Sequence, residues 1–467
     1  MRGRPLLIFL LAAAVVFIAG LPLPAQSVPA MQQTSMELLR LRGGGELHGM
    51  ILEETDRGVH FLEINQPPGR PTFAVIQTIS KDRVASLRRI QGEDRQQLVR
   101  LADQIRNRTQ IRAAEKGSLR LTQASSEVLE TDGAWHYQNG SVMLVSSLNE
   151  DTTRSLAVRA DQIFHAFEHW FPPTRQPKQP IQIVLFGSFG SYSAYLKKIG
   201  LQIDNPAVYV PHTNQVLIGS ELQTFYRRLE VTRQQHAQTA AEWEAIGKSL
   251  PDKLNQLAKR LKESSWSPDE ITTEVQARRE AWQRDFQQKL QQIKVTDRRN
   301  EAALQNLIDQ TTQHLCHEAF HAYLENFLYP QDEFEVPVWL NEGLAQLFEH
   351  AQFENGTFRI DQPPQPLLKK LQERLRRDDG FSLQHMLQTR SGSFLLFENL
   401  HRNRLNYDVA WGLAWYLVFQ KNLFAPGHLD QFVHRRGAAA RETEQIFGEP
   451  VAQLQTEWTN FMLSLGS

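Results

Sequence analysis

The amino-acid sequence predicts an α+β protein. It has a small β-barrel-like module at the N-terminus, then an α+β domain carrying a long helical, coiled-coil-like insertion, and a helical C-terminal region. Three observations predict it. Over 36–90, short apolar runs are broken by turn residues such as Gly43-Gly44-Gly45 and Pro67-Pro68-Gly69, the punctuation of short strands. From 118 onward, compact apolar strands alternate with amphipathic helical periods. Over 221–300 the chain turns to Gln, Glu, Lys, Arg and Ala, with apolar residues at helical spacing.

The first thirty residues stand apart. Arg2 and Arg4 precede an unbroken apolar run that ends before Pro22, and small-residue sites follow at Ala25 and Ala30. This is the layout of a secretory signal peptide over 1–30, and its apolar run is shorter than the ~20 residues that span a bilayer. The expectation is therefore an exported protein, periplasmic or extracellular, without a stable membrane span once the signal is removed; an uncleaved anchor is the alternative. With a formal net charge of -1 over 467 residues, long-range attraction gives no reason to expect a nucleic-acid partner. The single cysteine, Cys316, excludes an intramolecular disulfide and reads as a small buried residue.

Each element follows from local pattern. About five strands fit 36–90, a spacing that resembles small SH3-like modules; His48 and His60 are ordinary strand residues there. The charged, proline-free stretch 91–117 carries Leu98, Leu101 and Ile105 at helical spacing and reads as a linker helix. Within 118–467, strands are expected at 142–146 and 181–186 and helices at 151–171 and 191–199. A hairpin is expected from 207–210 and 215–218. The stretch 221–300 reads as two or three long helices folded into a hairpin inserted in this domain. Ser267 supplies an N-cap, Pro268 a first-turn proline, and Asp269 and Glu270 acidic residues at the positive helix end. Its charges read as a solvated face, with a protein partner as the other reading. No internal repeat stands out.

The chemistry is carried by His317-Glu318-Ala319-Phe320-His321, in a stretch free of Gly and Pro and hence helical. Residues four apart share a helix face, so both imidazoles can address one metal ion while Glu318 reaches an open position beside it. After a loop with Pro330 and Pro337 comes Trp339-Leu340-Asn341-Glu342-Gly343 in a second helical stretch. Its carboxylate completes a set of two His and one Glu with an open position, the arrangement of catalytic rather than structural zinc.

These two segments resemble those of the gluzincins, most closely the peptidase MA-like group, over His317 to Glu349. The resemblance implies a Zn2+-dependent peptidase acting on a peptide or protein substrate, with His317, His321 and Glu342 as ligands and Glu318 as general base. Glu349 matches an acidic position that orients a ligand from behind, whereas Gln346 stands where some relatives carry an Asp. The G-x-M-E-N motif of the aminopeptidase branch has no counterpart, so aminopeptidase specificity is not implied. For the oxyanion, the family's use of a C-terminal Tyr or His points to Tyr407, with Tyr416 and His401 as alternatives. An edge strand lays out the substrate in this family, and Gln215, Val216, Leu217 and Ile218 are the expected strand. The other function reading is a non-catalytic envelope scaffold or binding protein on the same fold.

Two further groups of histidines compete for attention. His165-Ala166-Phe167-Glu168-His169 matches an inverted zinc motif, but Phe164, Phe167, Trp170 and Phe171 give it the character of core. His314 precedes His317 by one helical turn and reads as a supporting or solvent-facing residue.

Overall fold

The computed structural model describes residues 35–42, 45–65, 73–106, 116–354, 357–377, 382–388, 400–425, 427–437 and 443–465. The signal-peptide expectation for 1–30 lies outside them.

Strands β1 (Glu37–Leu41), β2 (Glu46–Glu54), β3 (Gly58–Asn65), β4 (Phe73–Ser80) and β5 (Val84–Arg88) form an antiparallel meander in which β5 returns to pair with β1. Side chains alternate between faces. Leu62, Ile64 and Ala74 pack against Leu98, Leu101 and Ile105 of α1 (Gly92–Arg106), while Leu39, Val59 and Phe61 fill a separate cluster on the other face. The expected barrel does not close. The free edge of β4 pairs in parallel with a strand from far along the chain, so β4 and β5 stay at different positions in an open seven-stranded sheet.

A second sheet contains β6 (Thr122–Ser126), β7 (Thr131–Asn139), β8 (Val142–Ser146), β9 (Ile181–Phe186), β10 (Ala207–Val210) and β11 (Gln215–Gly219), in the order β10-β11-β9-β8-β7-β6. Strands β8, β9 and β11 run parallel; β10 is antiparallel at the rim. The crossover α2 (Glu150–Trp170) is capped by Asn149 and buries Leu156, Ile163, Phe167 and Trp170. The short helix α3 (Phe189–Lys198) links β9 to β10.

The Gln- and Glu-rich stretch forms an antiparallel pair, α4 (Leu222–Glu263) and α5 (Pro268–Tyr323). Ser267 and Glu270 make a reciprocal capping box at the start of α5, and Trp243, Phe286 and Trp282 stack between the two helices. The expected insertion has no boundary at 300. Helix α5 runs 56 residues without a break, about 84 Å at 1.5 Å per residue, and ends in the His317 to His321 segment.

A π-helical turn, Leu324–Leu328, follows α5. Strand β12 (Phe334–Glu335) then leads to α6 (Val338–Glu349) and to the hairpin β13 (Gln352–Glu354) and β14 (Thr357–Arg359), the pair that extends the N-terminal sheet. Helices α7 (Gln365–Arg377), α8 (Leu383–Leu387), α9 (Leu400–Phe419), α10 (Thr443–Phe447) and α11 (Val451–Ser464) complete the C-terminal region. A single core joins α2, α5, α6 and α9. Phe167, Phe320 and Phe348 meet at its centre with ring centroids 5.0 to 5.4 Å apart. Among the described residues no helix is long and apolar enough to cross a membrane.

Candidate metal centre

The end of α5 buries Leu315, Cys316, Ala319, Phe320 and Tyr323. This apolar stripe fixes the helix's rotation and turns His317, Glu318 and His321 to the opposite side. Cys316 donates from Sγ to the Phe348 carbonyl at 3.1 Å, tying α5 to α6. Helix α6 buries Trp339, Leu340, Leu344, Leu347 and Phe348, and the same packing carries the Glu342 carboxylate inward, only 8% exposed.

The two helices bring one atom each of His317, His321 and Glu342 within 4.8 Å of one another. His317 Nε2 lies 3.3 Å from Glu342 Oε2, and His321 Nε2 lies 3.7 Å from Glu342 Oε1. Behind the rings, His317 Nδ1 is 2.8 Å from Glu349 Oε2 and His321 Nδ1 is 2.9 Å from Asn341 Oδ1. A carboxylate and an amide oxygen can only accept, so each Nδ1 carries the hydrogen. Each Nε2 then turns toward Glu342, the second-sphere arrangement that metal-binding histidines require.

The electrostatics agree. Burial pulls the His317 pKa down, but the contacts with Glu342 and Glu349 outweigh it and raise it well above the usual imidazole range. Burial pushes the Glu342 and Glu349 carboxyls up, yet the neighbouring imidazoles hold both below the usual carboxylate range. His317, His321 and Glu342 could together hold a metal ion. Two nitrogens and a carboxylate oxygen form a borderline donor set that suits zinc.

Glu318 lies beside this group. Its Oε2 accepts the backbone N–H of Tyr209 at 2.7 Å, which joins the general-base candidate to β10. Tyr407 on α9 faces the same centre: burial, then Glu342, Glu318 and Glu349, push its phenol pKa upward. Tyr416 instead donates to Glu457 at 3.2 Å, and the His401 side chain lies outside the described residues. His314 stays near Glu349, Glu318 and His317, with burial lowering its pKa.

The structure therefore gathers His317, Glu318, His321, Glu342, Glu349 and Tyr407. It does not gather the expected substrate strand. Gln215, Val216, Leu217 and Ile218 belong to β11, paired with β10 on one side and β9 on the other, and every residue of that strand is buried. No backbone edge is left there for a peptide; the rim strand is β10. Hairpin signals in a sequence give two strands but not which one lies outside. Asn341 and Tyr209 are the residues that sequence reasoning missed. Asn341 had a signal, since it precedes Glu342 directly, whereas Tyr209 acts through its backbone and had none. The inverted motif is core and contact: Phe164 and Phe167 are buried, and His169 Nε2 lies 3.3 Å from Glu63 Oε2 of β3.

Residues 311–426 match a family described as a protein of unknown function, DUF1570. That span holds all six residues of the gathered centre. No curated protein and no solved structure matches the chain.

Proposed function

We propose that this chain is an exported, zinc-dependent peptidase of gluzincin type. One observation carries the reading: His317, His321 and Glu342 converge from two helices, with Glu318 one residue from the first ligand and held against a sheet edge. A scaffold has no need of a carboxylate base placed beside an open metal position.

A zinc ion held by His317, His321 and Glu342 would supply Lewis acidity, polarising a scissile carbonyl and lowering the pKa of a water molecule. Glu318 takes the proton of the attacking water and delivers it to the leaving amine. The Tyr407 phenol, kept protonated by its surroundings, donates to the developing oxyanion. Asn341 and Glu349 hold the two imidazoles in orientation. Because the Tyr209 N–H points away from β11, Ala207, two residues earlier, presents its backbone on the same outer side of β10. As the rim strand, β10 rather than β11 is where an extended peptide would lie.

The test is zinc content and peptide hydrolysis on the same samples of wild type, Glu342→Gln and Glu318→Gln. Near one zinc per wild-type chain, less in Glu342→Gln, and zinc without cleavage in Glu318→Gln would support the reading. No zinc in wild type would sink it; stoichiometric zinc without cleavage of any peptide would favour the scaffold reading.

A further inference from the structure

The structure assigns a positioning role to Asn326: we propose that the Asn326–Asn214 amide pair fastens edge strand β10 to α5, so that Tyr209 holds the Glu318 carboxylate in place. Asn326 lies in the π-helical turn that ends the metal-site helix, a kind of irregularity that re-aims side chains. Its Nδ2 donates to Asn214 Oδ1 at 2.8 Å, and Asn214 Nδ2 donates back to Asn326 Oδ1 at 3.1 Å. Asn214 occupies the β10–β11 turn with φ of 53° and is 3% exposed. It also donates to the Gln179 and Pro180 carbonyls, at 3.1 and 3.2 Å.

Tyr209 is gripped at both ends. Its phenol donates to Asn214 Oδ1 at 3.0 Å and receives Asn326 Nδ2 at 3.2 Å, while its backbone N–H donates to Glu318 Oε2 at 2.7 Å. Glu318 and Asn326 stand eight residues apart, on the order of 12 Å along a helix axis. One edge-strand residue thus meets the helix line at two separated points, which sets both the distance and the slide of β10 along α5.

Stability alone does not call for this network. Replacing both partners of a buried hydrogen bond by apolar groups of the same shape is close to neutral, so an apolar contact would join strand and helix equally well. A directional amide pair adds register. Register matters here because a general base must sit within hydrogen-bond reach of its proton, and a misplacement of about 1 Å costs on the order of 10²-fold. The catalytic part of this role rests on the peptidase reading; the fastening of the strand does not.

The test uses the zinc-loaded full chain with Asn326→Leu, near in volume but without the amide, and Asn214→Gly, which keeps the left-handed backbone. Hydrogen exchange over 207–218 is measured by mass spectrometry beside zinc content, kcat and KM. Exchange in β10 should rise about tenfold and kcat fall roughly 10- to 100-fold, with zinc content and KM close to wild type. The double variant should lose less than the sum of the two single losses, because both break the same pair. Active wild type with unchanged exchange or unchanged kcat in both variants would overturn the assignment alone. A wild type that binds no zinc and cleaves nothing would remove the peptidase reading and the catalytic role together, and the exchange data would then show separately whether the strand is fastened.

Discussion

A Cβ added to Gly343 would lie 2.4 Å from the carbonyl oxygen of Ala410. At this glycine, immediately after Glu342, α6 and α9 touch backbone to backbone. The contact sets how far Glu342 stands from Tyr407, which lies one turn before Ala410 on α9. Gly343→Ala would ordinarily stabilise a helix by ~1 kcal/mol. Here the obstacle is backbone, which cannot swing aside, and overpacking of this kind costs about 1–3 kcal/mol. The variant should melt at lower temperature and bind zinc more weakly; thermal unfolding with and without added zinc checks both.

The ring-orienting contacts predict a graded loss of metal affinity. Glu349→Ala removes the acceptor 2.8 Å from His317 Nδ1, and Asn341→Ala the acceptor 2.9 Å from His321 Nδ1. Each should weaken zinc binding by roughly 10- to 100-fold. Competition against a chromophoric chelator measures this directly, and affinities equal to wild type would show that the rings need no such support.

Tyr407→Phe keeps the packing and removes only the phenol hydroxyl. Zinc affinity should not change, and kcat should fall by about 10²-fold with little change in KM, as when one donor to an oxyanion is lost. Unchanged turnover would remove Tyr407 from the mechanism and return attention to the other residues of α9.

The joint between the N-terminal sheet and α2 predicts a pH dependence. Burial raises the Glu63 pKa from 4.5 to about 8, and burial lowers the His169 pKa from 6.5 to about 4. Between pH 4.5 and 8 the folded chain retains a proton on Glu63 that the unfolded chain has released, so this group makes stability fall as pH rises. Between pH 4 and 6.5 His169 acts in the opposite sense, because only the unfolded chain takes up its proton. The two effects oppose one another below pH 6.5, and Glu63 acts alone above it. Stability should therefore fall from pH 6.5 to 8, by at most ~1.4 kcal/mol per pH unit for one proton. Urea unfolding at pH 5.5, 6.5 and 8 tests the slope, which Glu63→Gln should flatten.

By itself the sequence determined what depends on neighbours a few residues apart. The four-residue spacing of His317 and His321 puts both on one helix face, and the text from Trp339 to Gly343 supplies the third residue of the group that could hold a metal ion. Ser267 and Glu270 start a helix where the residue types require one. Tertiary structure alone decided which strand lies at the rim, since β10 and β11 both carry mainly apolar residues and are told apart by what pairs beside them. It also decided that β14 pairs with β4 and keeps the N-terminal sheet open, and that the Tyr209 backbone meets Glu318 and the Asn341 side chain meets His321. The physical reason is range. Helical period and capping act within one or two turns, whereas strand order and backbone-to-side-chain contacts are fixed by segments that loop closure brings together across the chain.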